Sequence, residues 1–208
     1  MGILDLFFPK KCVGCEVEGG DVCCECFKEL KFLGSQQCPG CRGENLDGRF
    51  CEGCENGFLF DRLVVCVEYE HGGVFSKLMV RFKYKYSSVL SELFGGILRG
   101  RVPSGYDVCV PVPIYRGKLR VRGFNQAKLL AEYCGLGVVD CLCRLEDRGA
   151  QAKLGRSGRM ENLKGVVGLR DGFELAGKRV LLVDDVATTG STLNECSRVL
   201  KGAGVVEV

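Results

Sequence analysis

Two adjacent carboxylates, Asp184 and Asp185, stand between a short apolar run, Val180–Val183, and a stretch of small residues: Ala187, Thr188, Thr189, Gly190, Ser191 and Thr192. The apolar run has the length of a buried strand. Beyond the small residues, Leu193, Cys196, Val199, Leu200 and Ala203 recur on one face of a helix. A strand, a small-residue loop and a helix N-terminus make an anion site. Backbone N–H groups and the helix dipole point at the ligand, and the Thr and Ser hydroxyls add donors. The acid pair would repel a phosphate laid directly on it. It suits a ribose diol or a bound Mg²⁺ instead. The two halves together describe a site for a sugar phosphate. The plain alternative is an ordinary strand–loop–helix with solvated acids, as at the edges of many doubly wound sheets. A run of this length and order is far more specific than a lone GxGxxG.

The second chemical signal is cysteine. The chain has 15 cysteines, nine of them in its first 54 residues. Cys12-x2-Cys15 is followed by Cys23-x2-Cys26, and Cys38-x2-Cys41 by Cys51-x2-Cys54. A CxxC turn lets two sulfurs meet one ion while nearby N–H groups bond them, and two turns complete a tetrahedral Cys₄ site. Gly14, Gly40 and Gly53 lie inside three of these turns, where a tight backbone is needed. Eight ligands therefore predict two closed, structural zinc sites. The simplest pairing is sequential. An interleaved cross-brace, Cys24 in place of Cys23, iron in place of zinc, and a disulfide scaffold are the alternatives. A segment this short has too few large apolar groups for its own core, so each metal would supply folding energy on the order of 10 kcal/mol.

Composition narrows the class. Formal charge is +3 over 208 residues. Two Zn²⁺ would add four charges and eight thiolates would remove eight, leaving −1, so net charge gives little support for nucleic-acid binding and any such case rests on local patches. No apolar run approaches membrane-span length, which predicts a soluble, cytoplasmic protein without membrane insertion. The opening MGILDLFFPKKC lacks a basic n-region and a cleavage site, and Leu6 stands where a myristoylation signal wants Ser or Thr.

These groups need a scaffold. Residues 61–70 read as a strand. Phe75, Leu78, Met79 and Phe82 fall at helical spacing, and Val89, Leu90, Leu93, Phe94, Ile97 and Leu98 mark a second helix. Residues 106–110 form a strand ended by Pro111 and Pro113; Ala127, Leu130, Ala131 and Cys134 mark another helix. Strands alternating with helices predict an α/β domain with a parallel, Rossmann-like sheet and crossover connections. The composition change near Asn56 and Gly57 divides the chain into a zinc module, 1–57, and a core domain, 58–208, each with its own source of stability. His71, the only histidine, sits beside Gly72 and Gly73 and reads as a solvated turn residue. Cys66, Cys109, Cys134, Cys141, Cys143 and Cys196 read mostly as small buried hydrophobes.

The run from Val180 to Thr192 resembles the 5-phosphoribosyl-1-pyrophosphate (PRPP) loop of type I phosphoribosyltransferases. Three further segments extend the resemblance: VPVP at 110–113, RGFNQ at 122–126, and the spaced Arg144, Gln151, Leu154, Arg159 and Asn162. With the paired CxxC motifs, these resemble the ComF/GntX family of bacterial competence and DNA utilisation, a double zinc-ribbon module fused to a phosphoribosyltransferase domain. The resemblance covers nearly the whole chain. It implies that Asp184 and Asp185 hold ribose and Mg²⁺, and that Ala187, Thr188, Thr189, Gly190, Ser191 and Thr192 wrap the 5′-phosphate. It further implies that Pro111, Val112 and Pro113 lie by the pyrophosphate, with Arg122 reaching toward it. Residues 144–162, with Arg144, Gln151 and Arg159, would form a loop that covers the site. Type I enzymes often carry a hood that recognises the base; no separate hood is evident unless the zinc module fills that role.

Two functions follow as expectations. The first is transfer of a phosphoribosyl group to a nitrogen nucleophile, with Asp184, Asp185 and Arg122 at the centre. The second is a single-stranded DNA-binding accessory that works with other competence proteins. Its signal is Arg81, Lys83 and Lys85 interleaved with Phe82, Tyr84 and Tyr86, followed by Arg116, Lys118, Arg120 and Arg122. If the patch at 81–86 tracks a nucleic-acid backbone, it lies apart from the PRPP site; the alternative, held even with it, buries its aromatics and gives its lysines to that site. No helix-turn-helix is visible, and the sequence leaves the acceptor and the oligomeric state undefined.

Overall fold

A computed structural model describes residues 10–45, 47–84, 88–146 and 164–208. The central sheet is parallel, as expected, and has three strands in the order β4-β3-β7. β3 (Val108–Pro111) lies between β4 (Gly137–Val138) and β7 (Val180–Val183), with Val108 opposite Val180 and Pro111 opposite Val183. Pro111 cannot donate to a ladder, and it stands at the last position of its strand, where that loss is tolerated. The next residue restores the pairing, with the Val112 N–H donating to the Val183 carbonyl at 2.8 Å.

Successive residues on β3 point to opposite faces, and both faces are covered. Val110 faces a core with Leu193, Cys196 and Leu200 of α6 (Ser191–Gly202). Cys109 faces a core with Leu78, Met79 and Phe82 of α2 (Val74–Tyr84), Leu90 and Phe94 of α3 (Ser88–Arg99), and Leu130 and Ala131 of α5 (Gln126–Ala131). Phe94 takes Phe75 and Phe82 edge-on at centroid distances of 5.7 and 5.3 Å. Gly95 lets α3 close on the Tyr133 ring, since a Cβ there would lie 2.2 Å from it.

Several elements differ from the sequence expectation. Residues 61–70 are not a strand; only isolated bridges occur there, Arg49 with Arg62 and Phe32 with Val67. That segment pairs with the cysteine-rich module instead. Gln36 brackets Val65, accepting its N–H at 2.7 Å and donating to its carbonyl at 3.1 Å. The strand expected from Tyr106 starts at Val108. β5 (Leu142–Arg144) and β6 (Val167–Leu169) pair antiparallel beside the parallel sheet. In the N-terminal region, β1 (Gln36–Gln37) and β2 (Glu44–Asn45) pair antiparallel, and α1 (Cys24–Lys28) is a short helix capped by Cys23.

The N-terminal region is built into the rest of the chain. Asp21 is buried and bonds Arg81 of α2 at 2.8 Å. Lys77 donates to the Gly14 carbonyl at 3.4 Å, and Arg49 bonds Glu207 at 3.0 Å. Glu207 also receives Arg179, and its backbone carbonyl accepts the Val180 N–H at 2.8 Å. The chain end therefore extends the sheet beside β7 and meets the cysteine-rich region there.

Candidate phosphoribosyl site and metal centres

The sulfurs of Cys12, Cys15, Cys23 and Cys26 lie within 4.8 Å of one another, as do those of Cys38, Cys41 and Cys51. Cys54 joins the second set through hydrogen bonds of its thiol with Cys41 and Cys38. The pairing is thus sequential, and the interleaved brace is ruled out. Cys24 turns away and hydrogen-bonds Glu25 at 3.7 Å, so Cys23 is the clustered residue.

Backbone donors fit these sulfurs for a cation. The Cys23 N–H meets the Cys12 sulfur at 3.3 Å, the Cys51 N–H meets Cys38 at 3.3 Å, and the Gly43 N–H meets Cys41 at 3.4 Å. Burial alone would raise the Cys12 thiol, but the N–H groups of Cys15, Cys23 and Gly14 bring it down to about 6. The Cys41 and Cys51 N–H groups likewise lower Cys38 to about 6. Their partners move the other way. Cys51 is pushed up to about 11 by its bond with Cys38, and Cys54 to about 11 by its bond with Cys41. Four thiols this close cannot all ionise alone; a divalent cation removes that conflict. The turns are too tight for side chains. A Cβ on Gly14 would sit 2.5 Å from the Cys26 sulfur, and one on Gly40 would sit 2.8 Å from the Cys54 Cβ. Both clusters can hold zinc.

The second site forms where β7 ends. Asp184 and Asp185 follow Val183 directly, and the Asp184 carboxylate accepts the Asp185 N–H at 2.8 Å. Burial, then the neighbouring Asp185 charge, pushes Asp184 up to about 7. The chain turns through Ala187 and Thr188, which are exposed, to Gly190 at φ +74°, the N-cap of α6. A positive φ suits glycine, and no side-chain cap bond is made there. Thr189 and Ser191 share a 2.6 Å hydroxyl contact across this turn, and Thr192 opens the helix with Ser191. Phe60 and Phe58 pack beneath Gly190, at 3.5 and 3.8 Å from a Cβ placed there.

RGFNQ fixes the neighbouring wall. Arg122 ends α4 (Arg116–Arg122), Gly123 reverses the chain at φ +81°, and Asn125 caps α5. The Asn125 side chain accepts the Ala127 N–H at 3.1 Å and donates to the Val112 carbonyl at 3.0 Å, which pins the loop of Pro111, Val112 and Pro113. Gln126 is buried; it accepts from Arg122 at 3.3 Å and donates to the Lys83 carbonyl at 3.3 Å. The Arg122 guanidinium stands 5.7 Å from the Tyr84 ring centroid.

Of the two readings of Lys83, a separate nucleic-acid patch or a place at this site, the structure supports the second. Its ammonium lies 3.2 Å from the Asp185 carboxylate. The rest of the patch divides in the same spirit: Phe82 is core, Arg81 bonds Asp21, and Tyr84 is exposed. Sequence distance left the choice open; the packing of α2 with Val183 brings its last turn to the residues that follow β7. Asn194 and Glu195 were also missed. Asn194 binds the Gly57–Leu59 backbone, and buried Glu195 accepts the Gly165 N–H at 2.7 Å while holding Arg198. A polar pair in the first turn after a phosphate-type loop was the available signal. Arg144 is not in a loop, as the resemblance implied, but ends β5 opposite Val167, and it donates to the Glu146 carbonyl at 3.2 Å. Gln151, Leu154, Arg159 and Asn162 fall outside the described residues, as do Lys85 and Tyr86.

The phosphoribosyl transferase domain model matches residues 127–208, which include the acid pair and the loop. Competence protein F of Haemophilus influenzae is 37% identical over 108 residues, 49% of this chain and 47% of that protein. Competence protein ComFC of Streptococcus pneumoniae is 27% identical over 192 residues, 90% of this chain and 84% of that protein. The chain is thus similar to competence proteins of the ComF type. DNA utilization protein YhgH of Escherichia coli K12 is 32% identical over 123 residues, 54% of this chain and 53% of that protein. The match thus spans about half of the Haemophilus and E. coli proteins and most of the pneumococcal one. The fold is a phosphoribosyltransferase-type α/β domain joined to a cysteine-cluster module. No described helix is long and apolar enough to cross a membrane.

Proposed function

We propose that this protein binds PRPP with Mg²⁺ and transfers its phosphoribosyl group to a nitrogen nucleophile. The observation that carries the reading is the junction of β7 and α6, where an acid pair meets a glycine-capped helix start beside the Asn125-pinned loop. Asp184 and Asp185 take the ribose diol and the metal. Ala187, Thr188, Thr189, Gly190, Ser191 and Thr192 take the 5′-phosphate through N–H groups and hydroxyls. Pro111, Val112 and Pro113 flank the pyrophosphate, and Arg122 reaches toward it. Bound Mg²⁺ would neutralise charge on the leaving pyrophosphate. In the reaction the ribose C1–O bond to pyrophosphate breaks, a C1–N bond forms, and the nucleophile's proton passes to solvent. The residues serve by holding the two reactants in line and meeting the leaving charge with cations. No general base is required for a nitrogen that is already basic. Calorimetry with PRPP, with and without Mg²⁺, tests binding; a screen for pyrophosphate release with bases and amines tests turnover. Absence of Mg²⁺-dependent PRPP binding would defeat the reading. Clustered thiolates need a reducing compartment, which supports a cytoplasmic location.

A second reading has its own observation. No residue of α4 is buried, and the helix carries Arg116, Lys118, Arg120 and Arg122 with no carboxylate. Such a helix suits the phosphates of single-stranded DNA and, through them, a role beside other competence proteins. Filter binding at two salt concentrations tests it, with affinity expected to fall steeply as salt rises. No binding at low salt would remove this role from the isolated protein.

A further inference from the structure

We infer that Lys83 is an exchangeable counter-ion: it holds Asp185 in the ligand-free protein and passes to an anionic phosphate oxygen when a divalent cation takes the acids. The inference rests on the reading of Asp184 and Asp185 as the metal-and-diol pair, and it assigns a role that the site residues named above do not include. Three observations support it. The Lys83 ammonium is 3.2 Å from the Asp185 carboxylate, which is only 13% exposed, so this cation neutralises the acid where solvent does little. Lys83 is itself part-exposed on the last turn of α2, with a flexible four-carbon stem, so the ammonium can move while its backbone stays fixed. The backbone is fixed by Gln126, which donates to the Lys83 carbonyl and accepts from Arg122. One buried amide therefore joins the backbone of Lys83 to the guanidinium of Arg122, across two helices.

The physical logic is competition followed by handover. A divalent cation approaching Asp185 meets the Lys83 charge, and the two repel. A metal arriving with a pyrophosphate supplies the ammonium with a new partner, since the displaced lysine can reach an oxygen carrying negative charge. Lys83 thus opposes metal alone and favours metal with its anionic ligand. Gln126 is a positioning residue here, acting through Lys83 and Arg122.

The test compares wild type with Lys83→Met and Lys83→Arg, each first checked for an unchanged unfolding midpoint. Mn²⁺ alone is titrated by electron paramagnetic resonance, and PRPP by calorimetry at saturating Mg²⁺. In Lys83→Met, Mn²⁺ affinity should rise about fivefold, as expected for removing one competing charge at a part-exposed pair. PRPP affinity should fall at least about tenfold, the loss of a charge-assisted hydrogen bond. Lys83→Arg should stay within about threefold of wild type in both. A merely structural lysine would weaken both affinities together, and a bystander would change neither; either result overturns the inference. If wild type binds no PRPP, the proposed function fails and the handover with it, while an unchanged Mn²⁺ affinity in Lys83→Met overturns the counter-ion role by itself.

Discussion

Asn194 accepts the Leu59 N–H in a 2.6 Å hydrogen bond, which ties the segment leaving the second cysteine cluster to the first turn of α6, after the Ala187–Gly190 loop. The same amide donates to the Gly57 carbonyl at 3.2 Å. Phe58 and Phe60, on either side of Leu59, reach under Gly190, and Phe50, next to Cys51, stacks on both at 4.9 and 5.5 Å. The second cluster and the Ala187–Gly190 loop are therefore parts of one packed unit.

Asn194→Ala leaves the Leu59 N–H without its acceptor. Thermal unfolding should show a loss of about 1 kcal/mol, the usual net worth of such a bond at a part-exposed place. PRPP affinity should also drop, because Gly190 loses its support from below. Unchanged stability together with unchanged PRPP affinity would mean that the linker only passes the loop.

Metal analysis after exhaustive dialysis should give two zinc ions per chain, and it also separates zinc from iron. A ratio near zero with disulfides by mass spectrometry would overturn the assignment. Cys12→Ser was expected from the sequence to unfold one module and spare the other. Gly14 instead lies against Val74 of α2, and Asp21 is buried against Arg81. Losing the first cluster should therefore lower the unfolding midpoint of the whole described fold, read by a single shifted transition.

Glu195 sets a pH prediction. Burial would raise its carboxyl, but Arg198 and the Gly165 N–H outweigh this and hold it below its ordinary 4.5. A depressed pKa means that the stabilisation is present above about pH 4.5 and is lost as pH falls through the lower, folded value. Glu195→Gln should cost about 1–2 kcal/mol at pH 7, with the gap to wild type closing in acid. A gap that is constant from pH 7 to pH 3 would show that the charge contributes nothing.

The acid pair, the small-residue loop and the sequential CxxC pairs were legible because each is local: spacing along the chain sets spacing in space. The helix faces of α2 and α3 were legible for the same reason, save that Val89, placed on the α3 face, is exposed. Residues 61–70 misled because Val64, Val65 and Val67 have strand propensity, but their partners, Gln36 and Phe32, lie in the cysteine-rich region. Lys83 stayed open between a surface patch and the site because its position depends on how α2 packs in three dimensions. Gln126 and Asn194 carry no charge and no metal chemistry, and only the tertiary contacts give them roles. The antiparallel β5–β6 pair was missed because two three-residue strands give too little alternation to detect.

The central claim is that Asp184 and Asp185, beside the α6 loop, hold PRPP with Mg²⁺. A calorimetric titration of PRPP into wild type and into Asp184→Asn with Asp185→Asn, both at saturating Mg²⁺, tests it directly. The paired amides keep the shape and remove the two charges that hold metal and diol. Binding by wild type and no measurable binding by the double variant is the predicted result; equal PRPP affinity in the two proteins would contradict the account.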